Sequence, residues 1–172
     1  MKKTMALLLC ALSLFSLSAC GSDVSVPTGM MLASGKIADY YLFVPGNWTV
    51  NSATGITSAY VSTSDRTNVS VTSYALPDKD TTARDYFEKH REEISSVFTE
   101  MSEPEVSDTT LDETPAVQYV YSVKSAGADY KILQVYCVRG DSIYIFTFTA
   151  TPEKYEEHLE KVGIILAEFR FM

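Results

Sequence analysis

An α+β fold, an antiparallel β-sheet flanked by helices, is predicted by three features of this sequence. From Ala116 to Ala150 the chain is a near-continuous run of β-branched and aromatic residues, broken only at Ser125-Ala126-Gly127-Ala128 and at Gly140-Asp141. Breaks that short join antiparallel neighbours, so the run reads as a three-stranded meander. Two other segments, Thr82–Phe98 and Pro152–Ala167, repeat apolar residues every three or four positions beside a capping residue, as amphipathic helices do.

The first element of the chain lies outside that fold. Lys2 and Lys3 precede an apolar run from Met5 to Leu17, which leads into Leu17-Ser18-Ala19-Cys20. The run is too short to span a hydrocarbon layer of about 30 Å and has the layout of a secretory signal peptide. Its last four residues match the bacterial lipobox, in which the cysteine thiol is acylated with diacylglycerol and becomes the mature N-terminus. Residues 1–20 are thus the expected signal and Cys20 the expected lipidation site, on the extracytoplasmic face of a cell membrane. Each buried CH₂ of an acyl chain contributes about 0.8 kcal/mol, so two or three chains anchor a protein stably. All 22 acidic residues follow Cys20 with 12 of the 14 basic ones, which gives the mature chain a net charge of −10. Such a domain repels nucleic acid and anionic headgroups. No nucleic-acid partner is expected, and the membrane is held through the lipid alone.

Residues 21–39 are rich in Ser, Gly and Val and read as a tether, interrupted by Met30-Met31-Leu32, ahead of a single domain over 40–172. Tyr40-Tyr41-Leu42-Phe43-Val44 reads as a strand, closed by the turn signal Pro45-Gly46. Residues 58–62 and 68–75 are the next strands, the second with a clear period of two. Thr82 with Asp85 approximates a capping box. Behind it Ala83, Tyr86, Phe87, His90, Ile94, Val97 and Phe98 share one helix face. Residues 100–113 are acidic and read as irregular, with one short strand near Val106. The meander strands follow at 116–124, 129–139 and 141–150. In the last, Tyr144, Phe146 and Phe148 share one face and Ile143 and Ile145 the other, which predicts a central strand. Thr151-Pro152 opens the second helix, whose apolar stripe reads Tyr155, Leu159, Val162, Leu166, Phe169. Gly163 inside it suggests a close approach by a neighbour. Both helices are expected against the sheet, burying Phe87, Ile94, Leu159 and Leu166.

The segment Tyr41-Leu42-Phe43-Val44-Pro45-Gly46-Asn47-Trp48 resembles the Phe-x-x-Pro-x-x-Trp opening of PsbP-like domains. The helix over 82–98 stands where that family has one before its meander, and Glu168-Phe169-Arg170-Phe171 is similar to its closing Ser-Phe-Arg, with Glu where Ser is usual. The family includes the PsbP protein of photosystem II, a Ran-binding nuclear import factor and DcrB-type envelope lipoproteins. The resemblance, over residues 40–172, implies an α/β/α sandwich that binds or assembles other proteins without catalysis. It carries over no site residue, because the matched positions belong to core and turns.

The chemistry-bearing residues point the same way. Nucleophile elbow, Walker loop, dinucleotide fingerprint, zinc-protease helix and Cys-x-x-Cys are all missing, so no enzyme, catalytic residue, metal site or cofactor is assigned. His90 falls on an apolar helix face and reads as a hydrogen-bonded filler, whereas His158 lies among charges and reads as solvated. Cys137, within a strand, reads as a small buried hydrophobe that has no disulfide partner once Cys10 and Cys20 are discounted. The acids of 100–113 lack the spacing of a calcium loop, and Arg139-Gly140-Asp141 reads as a hairpin turn rather than an adhesion motif. Two Asn-x-Ser/Thr sequences, at Asn47 and Asn68, have no glycosylation machinery to meet in such a location. Tyrosine suits either a sheet core or a contact surface. Trp48, Tyr121, Tyr130 and Tyr144 are the residues expected on an interaction surface. The function predicted is that of a membrane-anchored envelope lipoprotein whose domain binds or stabilises a partner protein. The alternative is carriage of a small molecule or divalent ion for a transporter or cell-wall enzyme.

Overall fold

Alternation in the meander sets the architecture of the described residues, 24–51 and 56–172 of the computed structural model. The expected signal peptide and Cys20 lie outside them. In chain order the elements are β1 (Met30–Leu32), β2 (Tyr40–Tyr41), β3 (Phe43–Pro45), β4 (Thr49–Asn51), β5 (Thr57–Tyr60) and β6 (Asn68–Ala75). Then come α1 (Ala83–Ser96), β7 (Glu100–Met101), β8 (Glu105–Leu111), β9 (Thr114–Ser125), β10 (Ala128–Arg139), β11 (Ser142–Ala150), α2 (Pro152–Glu168) and β12 (Arg170–Phe171). One antiparallel sheet runs β4-β5-β6-β11-β10-β9, with β7 and β8 both pairing along the outer side of β9. The long strands β9, β10 and β11 are consecutive neighbours, as the short breaks predict. Gly140 supplies the positive φ of 61° that the β10–β11 turn requires.

The two faces of the sheet carry separate cores. Tyr144, Phe146 and Phe148 of β11 face α2, while Ile143 and Ile145 face α1. The arrangement is the α/β/α sandwich expected. On the α1 side the Phe87 ring stacks on Tyr119 with centroids 3.7 Å apart, and Tyr136 meets Phe87 edge-on at 5.4 Å. Thr82 and Asp85 form the full capping box: each side chain accepts from the other residue's backbone N–H.

On the α2 side two small ladders, β1–β3 and β2–β12, flank the helix. They correct the tether boundary. Residues 21–39 do not all stand free: β1 pairs with β3, the Ala33 N–H donates to the Leu42 carbonyl at 2.7 Å, and Ala33 and Ser34 are buried. The apolar Met30 and Met31 lie against the core, which removes them from water. Gly46 is the close approach of this region, because a Cβ there would sit 3.3 Å from the Gly29 carbonyl that its own N–H contacts.

Four other expectations change. Residues 100–113 are not irregular but form β7 and β8, since β9 offers its free edge to both. Their acids pair with bases, Glu100 with Lys124, Glu103 with Arg91 and Asp108 with Arg84. The buried stripe of α2 is Tyr155, His158, Val162, Ile165 and the following Phe169, so Leu159 is exposed and Leu166 only half-buried. Ile94 is likewise half-buried and Val97, at 70% exposure, is in solvent. No atom stands near Gly163.

Candidate functional site

The residue that sequence reasoning placed wrongly is the centre of the most chemically loaded cluster. His158 is 2% exposed rather than solvated. The turn between β5 and β6 folds over it. Asp65 N–H donates to Ser62 Oγ at 3.0 Å, Thr67 N–H donates to Asp65 Oδ1 at 3.0 Å, and this points Asp65 Oδ2 at His158 Nε2, 2.9 Å away. Burial raises the Asp65 carboxyl, but hydrogen bonds from Thr67 and His158 outweigh it and hold the pKa at about 2. The carboxylate can only accept, so the ring proton sits on Nε2. Trp48 closes the far side, its indole edge-on to the imidazole at 6.2 Å. Glu157 Oε1 is 3.8 Å from Nε2, and Lys154 Nζ lies 2.5 Å from Glu157 Oε2 and 3.9 Å from Asp65 Oδ2.

This dyad is not arranged as a general base. Nε2 is occupied by Asp65, and Nδ1 is buried with no hydrogen-bond partner. A base must instead present a free nitrogen to a nucleophile or substrate. The cluster brings one imidazole nitrogen and two carboxylate oxygens together, beside a half-open cleft of about 540 Å³ lined by Ser64–Asn68, Thr149–Thr151 and Lys154. A larger, open groove of about 620 Å³ lies between the first turn of α1 (Thr82, Arg84) and Asp108, Thr109 and Val117 of β8 and β9.

The expected aromatic surface does not form. Trp48, Tyr121 and Tyr144 are 3–4% exposed and Tyr130 is half-buried. They are also divided, Trp48 and Tyr144 on the α2 side and Tyr121 and Tyr130 on the α1 side. Their hydroxyls turn inward: Tyr121 and Tyr136 donate to Gln134 Oε1 at 2.7 and 3.0 Å, and Tyr144 donates to Asp39. A sheet covered on both faces has no free aromatic side to present. His90 is the filler expected, its ring on Tyr86 and its Nδ1 2.8 Å from the Tyr86 carbonyl. Cys137 is fully buried, and burial pushes its thiol up to about 11, so it is no nucleophile at neutral pH. Arg139 and Asp141 are also engaged, Arg139 with the Met172 carbonyl and the Phe171 ring and Asp141 with Lys79.

The solution structure of cyanobacterial PsbP from Synechocystis sp. PCC 6803 superposes with a TM-score of 0.63, covering 91% of this chain and 99% of that one at 16% identity. The fold is PsbP-like. A Pseudomonas aeruginosa protein described as a putative regulator superposes at a TM-score of 0.57, with 21% identity over 81% of this chain and 94% of its own. LpqN of Mycobacterium tuberculosis, described as involved in cell envelope biogenesis, does so at 0.54, with 12% identity over 77% of this chain and 83% of its own. No family model and no curated protein matches the sequence. At these identities the likeness is one of fold. Among the described residues no helix is long and apolar enough to cross a membrane.

Proposed function

We propose that this PsbP-like chain is an envelope lipoprotein, anchored through acylated Cys20, whose non-catalytic domain holds an extended segment of a partner protein along β8. The observation that carries the reading is the edge itself. Strand β8 pairs only with β9 among the described residues, and Glu105–Asp108 are exposed along it. An open strand edge accepts a further strand through main-chain hydrogen bonds. The groove beside it supplies room for alternate side chains. The mature charge of −10 favours a partner segment rich in Lys and Arg.

Crosslinking in intact cells tests this. A photoreactive residue at Val106 is expected to capture one envelope protein, and the same probe at exposed Glu160 of α2 is expected to capture none of it. Equal capture at both positions, or none at Val106, would show the edge is not the docking site. The anchor has its own test. Cys20→Ser should leave the protein unacylated, either released from the membrane fraction or retained as precursor, and an unmodified mature N-terminus in the wild type would refute lipidation. A second reading, carriage of a small ligand or ion, is favoured by the Asp65–His158 cluster and the cleft beside it.

A further inference from the structure

We propose that Asp65, Glu157 and His158 bind a divalent transition cation of the zinc class, which names the ligand of the second reading and does not depend on docking at β8. Their three donor atoms lie within 4.8 Å of one another. Nε2 stands 2.9 Å from Asp65 Oδ2 and 3.8 Å from Glu157 Oε1. Donors around a tetrahedral zinc, with bonds of about 2.0–2.2 Å, are about 3.3–3.5 Å apart. Nε2 is within about half an ångström of that spacing from each carboxylate oxygen, and rotation of the exposed Glu157 side chain closes the remaining gap between the carboxylates, which lie within 4.8 Å. One imidazole with two carboxylates selects zinc-class cations over calcium or magnesium, which prefer oxygen alone. Water would complete the coordination from the solvent side.

Two features distinguish the cluster from an ordinary ion pair. The Lys154 ammonium already bridges both carboxylates, 2.5 Å from Glu157 Oε2 and 3.9 Å from Asp65 Oδ2, so a cation is drawn to this position in the metal-free protein. Its side chain is 38% exposed and free to swing out when a dication arrives. The second feature is the imidazole, buried with Nδ1 unpartnered and Nε2 held toward the carboxylates. The Thr67 N–H on Asp65 Oδ1 orients the first carboxylate as a metal ligand's hydrogen-bond partner does.

Calorimetric titration of the full acylated chain in detergent with Zn²⁺, and separately with Ca²⁺, tests the site. One Zn²⁺ per chain is expected, with no Ca²⁺ binding. Asp65→Asn and Glu157→Gln should each weaken Zn²⁺ by about tenfold or more, since even groups that only orient a metal ligand are worth 10–100-fold. Lys154→Met should tighten binding by removing the competing ammonium. Glu157 and Lys154 are 51% and 38% exposed, so these two variants keep the fold even if changes at the buried pair do not. Absence of one-to-one Zn²⁺ binding, unchanged affinity in Glu157→Gln, or weaker binding in Lys154→Met would each overturn the assignment. Any of those results would leave capture at Val106 as it was.

Discussion

The two helices pack on opposite faces of one sheet, yet they are held in different ways. Helix α1 lies chiefly on β9 and β10 and buries Ala83 and Phe87, with Tyr86, Ile94 and Phe98 half-buried beside them. Helix α2 is flanked by the N-terminal strands and buries Tyr155, His158, Val162 and Ile165 within the larger core. A helix resting on one surface shows the phase of its apolar stripe in sequence, and here only the last turn, at Val97, departs into solvent. A helix wrapped on several sides can bury a polar residue, provided a loop supplies the partner. His158 met by Asp65 is that case.

The largest effects that test the comparison are core truncations. Phe87→Ala should cost about 3–5 kcal/mol in denaturant unfolding, because Phe87 is the one large side chain that α1 buries fully. Phe169→Ala on the other face should cost a similar amount. Retention of full stability by the Phe87 variant would mean that α1 is not held by its stack on Tyr119. The phase of α2 is tested next. Ile165→Ala is expected to lose about 2–5 kcal/mol, whereas Leu159→Ala stays within about 0.5 kcal/mol of wild type. The reverse order would restore the stripe that sequence spacing suggested.

Alkaline titration sharpens the contrast at smaller amplitude. Burial, together with donation to the Asp39 carboxylate, pushes Tyr144 up to about 12, and burial does the same to Tyr155. Both exceed the ordinary value of 10.0, so the neutral form is favoured in the folded state. Their contribution is complete below pH 10 and is lost as pH climbs toward 12. Tyr144→Phe should therefore flatten the decline of stability above pH 10, as followed by tyrosinate absorbance and circular dichroism. An unchanged slope would place the Tyr144 hydroxyl in solvent. The smallest difference is at the helix starts. Thr82→Ala should cost about 1 kcal/mol, because its side chain accepts from Asp85 N–H. Thr151 makes no such bond, so Thr151→Ala should be nearly neutral in the same unfolding assay.

Much of the fold was legible because its cues are local. The period-two strand at 68–75, the meander breaks, the Thr82–Asp85 box and the Thr151-Pro152 start each declare themselves within a few residues, and each stands where expected. The candidate site was not legible. Asp65 and His158 are 93 positions apart, and nothing near either one announces the other. In sequence Asp65 looks like any turn aspartate, and His158 like any histidine on a charged helix.

From sequence alone came the α+β class, the antiparallel meander, the two helices, the burial of Cys137 and an expected lipid at Cys20. Only the tertiary structure decided which residues see water. Trp48, Tyr121 and Tyr144 became core because both sheet faces are covered. Residues 30–34 joined the domain because the flank of α2 had an edge to pair. His158 was buried because a turn from the far side of the fold brought a carboxylate to it. Burial is a property of surfaces meeting, and a linear pattern records only which surfaces are able to meet.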